Sequence, residues 1–263
     1  MQRTITIILF LLLAGCTASY YPLHQMECQS PRVAVKGYAK AFIGEERIAH
    51  ASISLLENHQ SIVTNEHGQF GFCALPKQRI TLLLKKNDKN PMHNYHETQE
   101  GTFFVPKVGF QDSNNEITFQ VPRKISYHLL EKIIKLKRHA TPCENCCNVA
   151  TTITAFQKTL SDDIQGEPGA KITLRHKGKY ISHHQLIYFG ILLGKTNPFY
   201  ISGKTSSKDG GVLIYNLPAS SDLYEISAIK NQLSFSSEKF WCRKGTFINL
   251  SPPHGPRVIR YVK

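Results

Sequence analysis

Ala51–Ser52–Ile53–Ser54–Leu55, followed by Thr64–Asn65–Glu66–His67–Gly68–Gln69–Phe70–Gly71–Phe72 and then Leu75–Pro76, is the stretch that decides the fold class. Ala51, Ile53 and Leu55 alternate with serines, so a strand here turns one face to a core. A polar turn containing glycine reverses the chain, and Phe70 and Phe72 return to that core. The second half repeats the order: Ala170–Lys171–Ile172–Thr173–Leu174, a segment from Thr205 through Asp209–Gly210–Gly211–Val212–Leu213–Ile214, then Leu217–Pro218. Gly68 to Pro76 and Gly210 to Pro218 both span eight residues, and Phe70, Phe72 and Leu75 correspond to Val212, Ile214 and Leu217. Two such matches in order indicate duplication. The offset is 119 between the Ala-x-Ile-x-Leu strands and 142 between the glycines, so the second copy holds 23 extra residues, expected to form an added hairpin.

Strand-type alternation continues in 80–84, 116–121, 224–229, 246–248 and 257–262. Many short strands between turns predict sandwiches. The 263 residues suffice for two domains of ordinary size. A hydrophobic fraction of 41% with 19% charged residues excludes disorder, a collagen-like fibre and a charged coiled coil. The apolar stretch from Ile7 to Gly15 is about half of the ~20 residues that a bilayer span requires.

These residues resemble the carboxypeptidase regulatory-like, or transthyretin-like, β-sandwich family: a strand of small and aliphatic residues, Thr, a polar turn, Gly-x-Phe-x-Phe, and a closing Leu–Pro. Residues 32–86 match well; 149–230 match more loosely, because Gly211–Val212 replaces an aromatic and the insertion interrupts. The resemblance implies a mainly β chain of two tandem Ig-like or transthyretin-like sandwiches joined by one amphipathic helix. It implies accessory or interaction modules rather than an activity. The expected organisation is a signal peptide at 1–15, a tether at 16–30, a first sandwich at 31–124, a linker helix at 125–142, and a second sandwich at 143–263 with its inserted hairpin at 176–203.

Met1–Gln2–Arg3, the apolar block from Ile5 to Leu13, and the small residues Ala14–Gly15 read as a secretory signal peptide. Leu13–Ala14–Gly15–Cys16 resembles the lipobox of bacterial lipoproteins. That resemblance implies cleavage before Cys16 and acyl chains on its sulfur and amine, whose buried methylenes each add ~0.8 kcal/mol of membrane affinity. Thr17, where inner-membrane members of that family have aspartate, implies the outer membrane. A flexible tether of 14 residues has a root-mean-square span of roughly 20 Å, which holds the first sandwich near the bilayer. Loss of residues 1–15 removes Arg3 and leaves 31 Lys+Arg against 19 Asp+Glu, a formal +12. In an exported chain this charge meets lipid head groups, cell-wall carboxylates and acidic proteins, not nucleic acid. A solvated basic surface is the other reading, since the charges are spread without a long run.

Cys28, Cys73, Cys143, Cys146, Cys147 and Cys242 remain after Cys16, an even number in an oxidising compartment. Adjacent Cys146 and Cys147 would bridge each other only with strain, so separate partners are expected. The expected pairs are Cys28 with Cys73 and one of the central three with Cys242. Cys143-x2-Cys146 also suits zinc or a redox dithiol, but no second ligand pair stands nearby.

Residues 126–138 read as an amphipathic, basic helix: Tyr127, Leu129, Leu130, Ile133, Ile134 and Leu136 occupy half of the wheel, with His128, Glu131, Lys132, Lys135 and Arg138 on the other. It either packs on the first sandwich, the favoured reading, or lies on an anionic bilayer or in a partner's groove. Leu186–Ile187–Tyr188–Phe189–Gly190–Ile191–Leu192–Leu193 has no charged side chain and one polar group, a tyrosine hydroxyl. It is a strand buried on both faces or, in a projecting hairpin with Phe199–Tyr200–Ile201 as its returning arm, a contact surface. Leu186, Ile187, Tyr188, Phe189, Ile191, Lys132, Lys135 and Arg138 are therefore the candidate interface residues.

Catalytic motifs do not emerge. Gly194–Lys195–Thr196 and Gly203–Lys204–Thr205 lack the earlier glycine of a phosphate-binding loop, so no nucleotide is expected. No Gly-x-Ser-x-Gly elbow occurs, His96–Glu97 lacks the second histidine of a zinc protease, and Asp162–Asp163 with Glu167 reads as a solvated turn. His93-x2-His96 and His183–His184 are the remaining metal-type pairs, read as chance in a chain of twelve histidines. The expectation is a non-catalytic lipoprotein without cofactor or metal, facing the periplasm and contacting envelope proteins as a scaffold subunit. The outer-membrane core of a type IV secretion apparatus is one analogous assembly. A basic module binding an anionic wall or surface polymer is the alternative.

Overall fold

The computed structural model describes residues 26–42, 46–90, 93–111, 115–159, 162, 164–182, 185–192, 195–201, 203–250 and 252–261. Its first half runs β1 (Val33–Ala41), β2 (Ser52–Leu55), β3 (Ser61–Val63), β4 (Gln69–Ala74), β5 (Arg79–Lys85), β6 (Thr98–Phe104), β7 (Ile117–Val121) and α1 (Lys124–Arg138). The second runs β8 (Cys146–Thr152), β9 (Lys171–His176), β10 (Lys179–Ile181), β11 (Leu186–Leu192), β12 (Lys195–Ile201), β13 (Gly211–Pro218) and β14 (Tyr224–Ile229). It closes with β15 (Leu233–Phe235), β16 (Glu238–Phe240), β17 (Phe247–Leu250) and β18 (Val258–Tyr261). The chain is mainly β and built as sandwiches, as its alternating pattern predicts.

The two halves share one wiring. In the first, β1 lies between antiparallel β4 and parallel β7, facing β3-β2-β5-β6. In the second, β8 lies between antiparallel β13 and parallel β17, facing β10-β9-β14-β16. The added hairpin β11–β12 extends the β13 edge, which accounts for the extra residues between the repeated motifs.

A polar anchor repeats as well. The Ala51 amide donates to Thr64 Oγ1 at 2.8 Å, and that hydroxyl donates to the Ile48 carbonyl at 2.7 Å. In the second half the Ala170 amide donates to Ser206 Oγ at 2.9 Å, and Ser206 Oγ donates to the Glu167 carbonyl. Both hydroxyls are buried, where an unpaired donor would be costly. Ser206 follows Thr64 by 142 positions, the same offset as Gly210 from Gly68, so the hydrogen bonds and the repeat spacing agree.

Phe70, Phe72, Ile53, Leu82 and Phe119 fill the first core, with Phe70 edge-on to Phe119 at 5.9 Å. Ile172, Leu174, Val212, Ile214, Ile226 and Phe240 fill the second. The halves are fused rather than strung together. Strand β17 pairs in parallel with β8 on one side and with β6 on the other, Phe247 opposite Thr98 and Ile248 opposite Gln99, so one nine-stranded sheet runs through both sandwiches.

Candidate interaction surfaces

Helix α1 is laid on the sheet by its first-turn aromatic. Tyr127 packs at 4.1 Å against His96 and edge-on at 5.3 Å against Phe247, and its hydroxyl accepts a 2.6 Å bond from Asn148 Nδ2. Burial holds the Tyr127 phenol well above its ordinary range and the His96 imidazole below its own. Leu130 and Ile134 follow Tyr127 inward at helical spacing and meet Ile187 and Phe189 of β11, Leu213 and Tyr215 of β13, and Phe247. The reading that the helix packs on the first sandwich is thus corrected: it packs mainly on the second. The reason lies in the strands, which present apolar side chains on both faces there and so offer a second hydrophobic layer.

That layer also corrects the interface assignment on β11. Ile187, Tyr188 and Phe189 are buried, Tyr188 toward the sandwich core and its two neighbours toward α1. Tyr188 Oη accepts the Ile172 amide at 3.0 Å. Leu186 and Ile191 are half-buried. The returning strand exposes Tyr200. The middle of the strand, Ile187 to Phe189, is therefore covered on both faces.

The apolar half of the helical wheel divides in two. Tyr127, Leu130 and Ile134 point inward, whereas Ile125, Leu129 and Leu136 are 53%, 48% and 76% exposed and fall within an arc of roughly 40°. Lys132 and Lys135 are exposed beside them; Arg138 closes the helix and its side chain lies outside the described residues. The inclusion of Ile125 was legible only from its i, i+4, i+11 relation to Leu129 and Leu136.

The cysteines form Cys28–Cys73, Cys143–Cys146 and Cys147–Cys242. Both expected pairings occur, the neighbours Cys146 and Cys147 have separate partners, and Cys143 and Cys146 are held in a bridge, which removes the thiolates that zinc would need. Cys16, Asp163, His183 and His184 lie outside the described residues. Asp162 caps a turn, accepting the Thr159 amide at 2.8 Å and Lys158 Nζ at 3.0 Å. Glu167 pairs with Lys230. Among the described residues no cluster of three or more His, Cys, Asp or Glu could hold a metal ion, and no helix is long and apolar enough to cross a membrane.

Two features were invisible in the sequence. A cleft of about 650 Å³ between the halves is lined by Tyr38, Arg47 and Glu116 from the first and Phe156, Lys158 and Arg257 from the second. The Arg47 guanidinium lies 3.8 Å over the Tyr38 ring. Glu100, on β6, is fully buried, and burial, only partly offset by the Gly101 amide, pushes its pKa well above the carboxylate range. Only the topology brings these groups to their places.

No protein family's model matches the chain, and no curated protein matches it. Among solved structures, the TIE protein of Bacillus anthracis aligns at 12% identity and a TM-score of 0.25 over 84% of this chain. The chain spans 33% of that protein's length. The shaft pilin SpaA of Lactobacillus rhamnosus GG aligns at 9% identity and a TM-score of 0.25, over 88% of this chain and 99% of the pilin. The minor pilin GBS52 of Streptococcus agalactiae aligns at 12% identity and a TM-score of 0.27, over 88% and 98%.

Proposed function

We propose that this chain is a non-catalytic lipoprotein, anchored in the outer membrane through acylated Cys16, that serves as a structural subunit of a cell-envelope protein assembly. The observation that supports it best is the outer stripe of α1. Ile125, Leu129 and Leu136 are exposed on a helix whose opposite face is fixed to the sheet, so the stripe is rigid, apolar and ready to bury. Lys132 and Lys135 at its border suit an apolar groove rimmed with acidic residues on a neighbouring envelope protein. An assembly of the type IV secretion outer-membrane core kind is one in which such a subunit fits. A pull-down from detergent-solubilised envelopes tests the reading: defined membrane proteins retained at high salt are expected, and recovery of wall fragments alone contradicts it. Cys16→Ser is expected to turn a protein that only detergent extracts from membranes into one that high salt releases.

The cleft favours a second reading. Arg47, Lys158 and Arg257 beside Tyr38 and Phe156 are the groups that would hold an anionic wall or surface polymer. Retention on purified wall material that weakens with salt would favour it over the scaffold.

A further inference from the structure

The end of the first sandwich where the chain enters carries its own exposed apolar cluster. Leu75, Phe104 and Val108 are 45%, 55% and 69% exposed. Backbone bonds bring their loops together: the Lys77 amide donates to the Val105 carbonyl at 2.7 Å, and the Val105 amide to the Gln78 carbonyl at 2.9 Å. Gly109, with φ of +76°, lies against the Ala34 carbonyl at the start of β1, and the Phe110 amide donates to that oxygen at 2.9 Å. Arg32, Lys77 and Lys107 are exposed around the cluster; Arg79 pairs with Glu57 at 3.4 Å, and Glu27 is the exposed acid at the chain entrance.

We propose that this end sits in the head-group layer of a bilayer containing anionic phospholipid. Two observations select lipid as the occupant. Exposed Phe, Leu and Val bordered by Lys and Arg is the composition of an interfacial surface, the rings and aliphatics entering the acyl boundary and the cations meeting phosphates. The Cys28–Cys73 bridge fixes the entering chain two residues before Leu75. Cys28 follows Cys16 by twelve positions, a reach of at most about 40 Å, so an anchor at Cys16 keeps this end of the sandwich within that distance of the bilayer. The second observation, and with it the orientation, rests on the lipid-anchor reading; the composition of the surface does not. Strand β1 leads from here to Ala41, which pairs with Val121 just before α1 begins, so the start of the helix lies roughly 26 Å away. The same body thus turns one end to lipid and the helix stripe to protein.

The test uses the mature chain with Cys16→Ser, which has no acyl chain, and vesicles of phosphatidylethanolamine with phosphatidylglycerol against vesicles of phosphatidylcholine. Binding to the anionic vesicles that weakens with salt is expected. Phe104→Glu and Val108→Glu are each expected to lower partitioning about ten-fold, and Leu136→Glu to leave it unchanged, with unfolding temperatures checking that all remain folded. Phe104→Trp is expected to shift to shorter emission wavelength on anionic vesicles. The proposal is overturned if the parent ignores anionic vesicles, if Leu136→Glu removes binding as strongly as Phe104→Glu, or if Phe104→Glu instead splits a dimer in solution, which would make a second copy the occupant. Intact mass of the native N-terminus separates the two claims: an unacylated chain that binds vesicles overturns the anchor alone, and an acylated chain whose Cys16→Ser form ignores them overturns this contact alone.

Discussion

Phe103 of the first sandwich packs at a tilt against His254 of the second with ring centroids 4.3 Å apart, and Phe110 meets the same imidazole edge-on at 5.8 Å. A polar ring has become part of an apolar seam. Burial, helped by the nearby Arg257, holds the His254 pKa down to about 3.

This seam is expected to make the protein acid-sensitive. The unfolded chain binds the His254 proton near the ordinary value of 6.5 and the folded chain does not until about 3, so the contribution of this group is complete above 6.5 and falls as pH drops through that window. The slope is up to about 1.4 kcal/mol per pH unit. His254→Phe is expected to flatten urea-unfolding stability between pH 6 and pH 4; an unchanged slope would contradict the burial argument.

Glu100 acts in the opposite direction. Its folded pKa lies well above the ordinary carboxyl value, so stability is present below about pH 4.5 and is lost as pH rises toward the folded pKa. Glu100→Gln is expected to stabilise the protein at pH 8 by about 1–3 kcal/mol and to have little effect at pH 4. Denaturant midpoints at the two pH values check it.

Thr64 and Ser206 fill the same place in the repeated wiring, so their removal is expected to cost alike. Thr64→Ala and Ser206→Ala each leave a buried amide without its acceptor, a loss of about 1–3 kcal/mol. Thermal unfolding of both variants measures this, and a large disparity would mean the two anchors are not equivalent.

The bridges are expected to differ sharply. Cys147 and Cys242 are 95 residues apart and Cys143 and Cys146 only three. Loop-closure entropy gives the former about 4–5 kcal/mol and the latter about 2. The paired serine replacements, compared by calorimetry, test the ordering.

What the sequence revealed was local. Alternation in Ala51–Leu55 and Ala170–Leu174 sufficed for strands, and the spacing of glycine and Leu–Pro sufficed for the duplication, because turns and pleats impose short-range patterns. The destination of α1 was misread because amphipathicity gives a helix an apolar face without naming the surface that receives it. The run at Leu186–Leu193 and the faces of β13 held the complementary clue: strands apolar on both sides need two layers of cover. The fusion through β17 and the cleft at Arg47 and Arg257 join residues some 150–210 positions apart, a parallel pairing with no local signature.

Site-specific photocross-linking at Leu136 in intact cells tests the structural-subunit reading most directly, because that side chain is at the outer stripe's most exposed point. A single protein adduct of discrete mass, absent when the cross-linker stands at buried Ile134, is the predicted result. No protein adduct at Leu136, with wall polymer captured instead by a cross-linker beside Arg47, would contradict it.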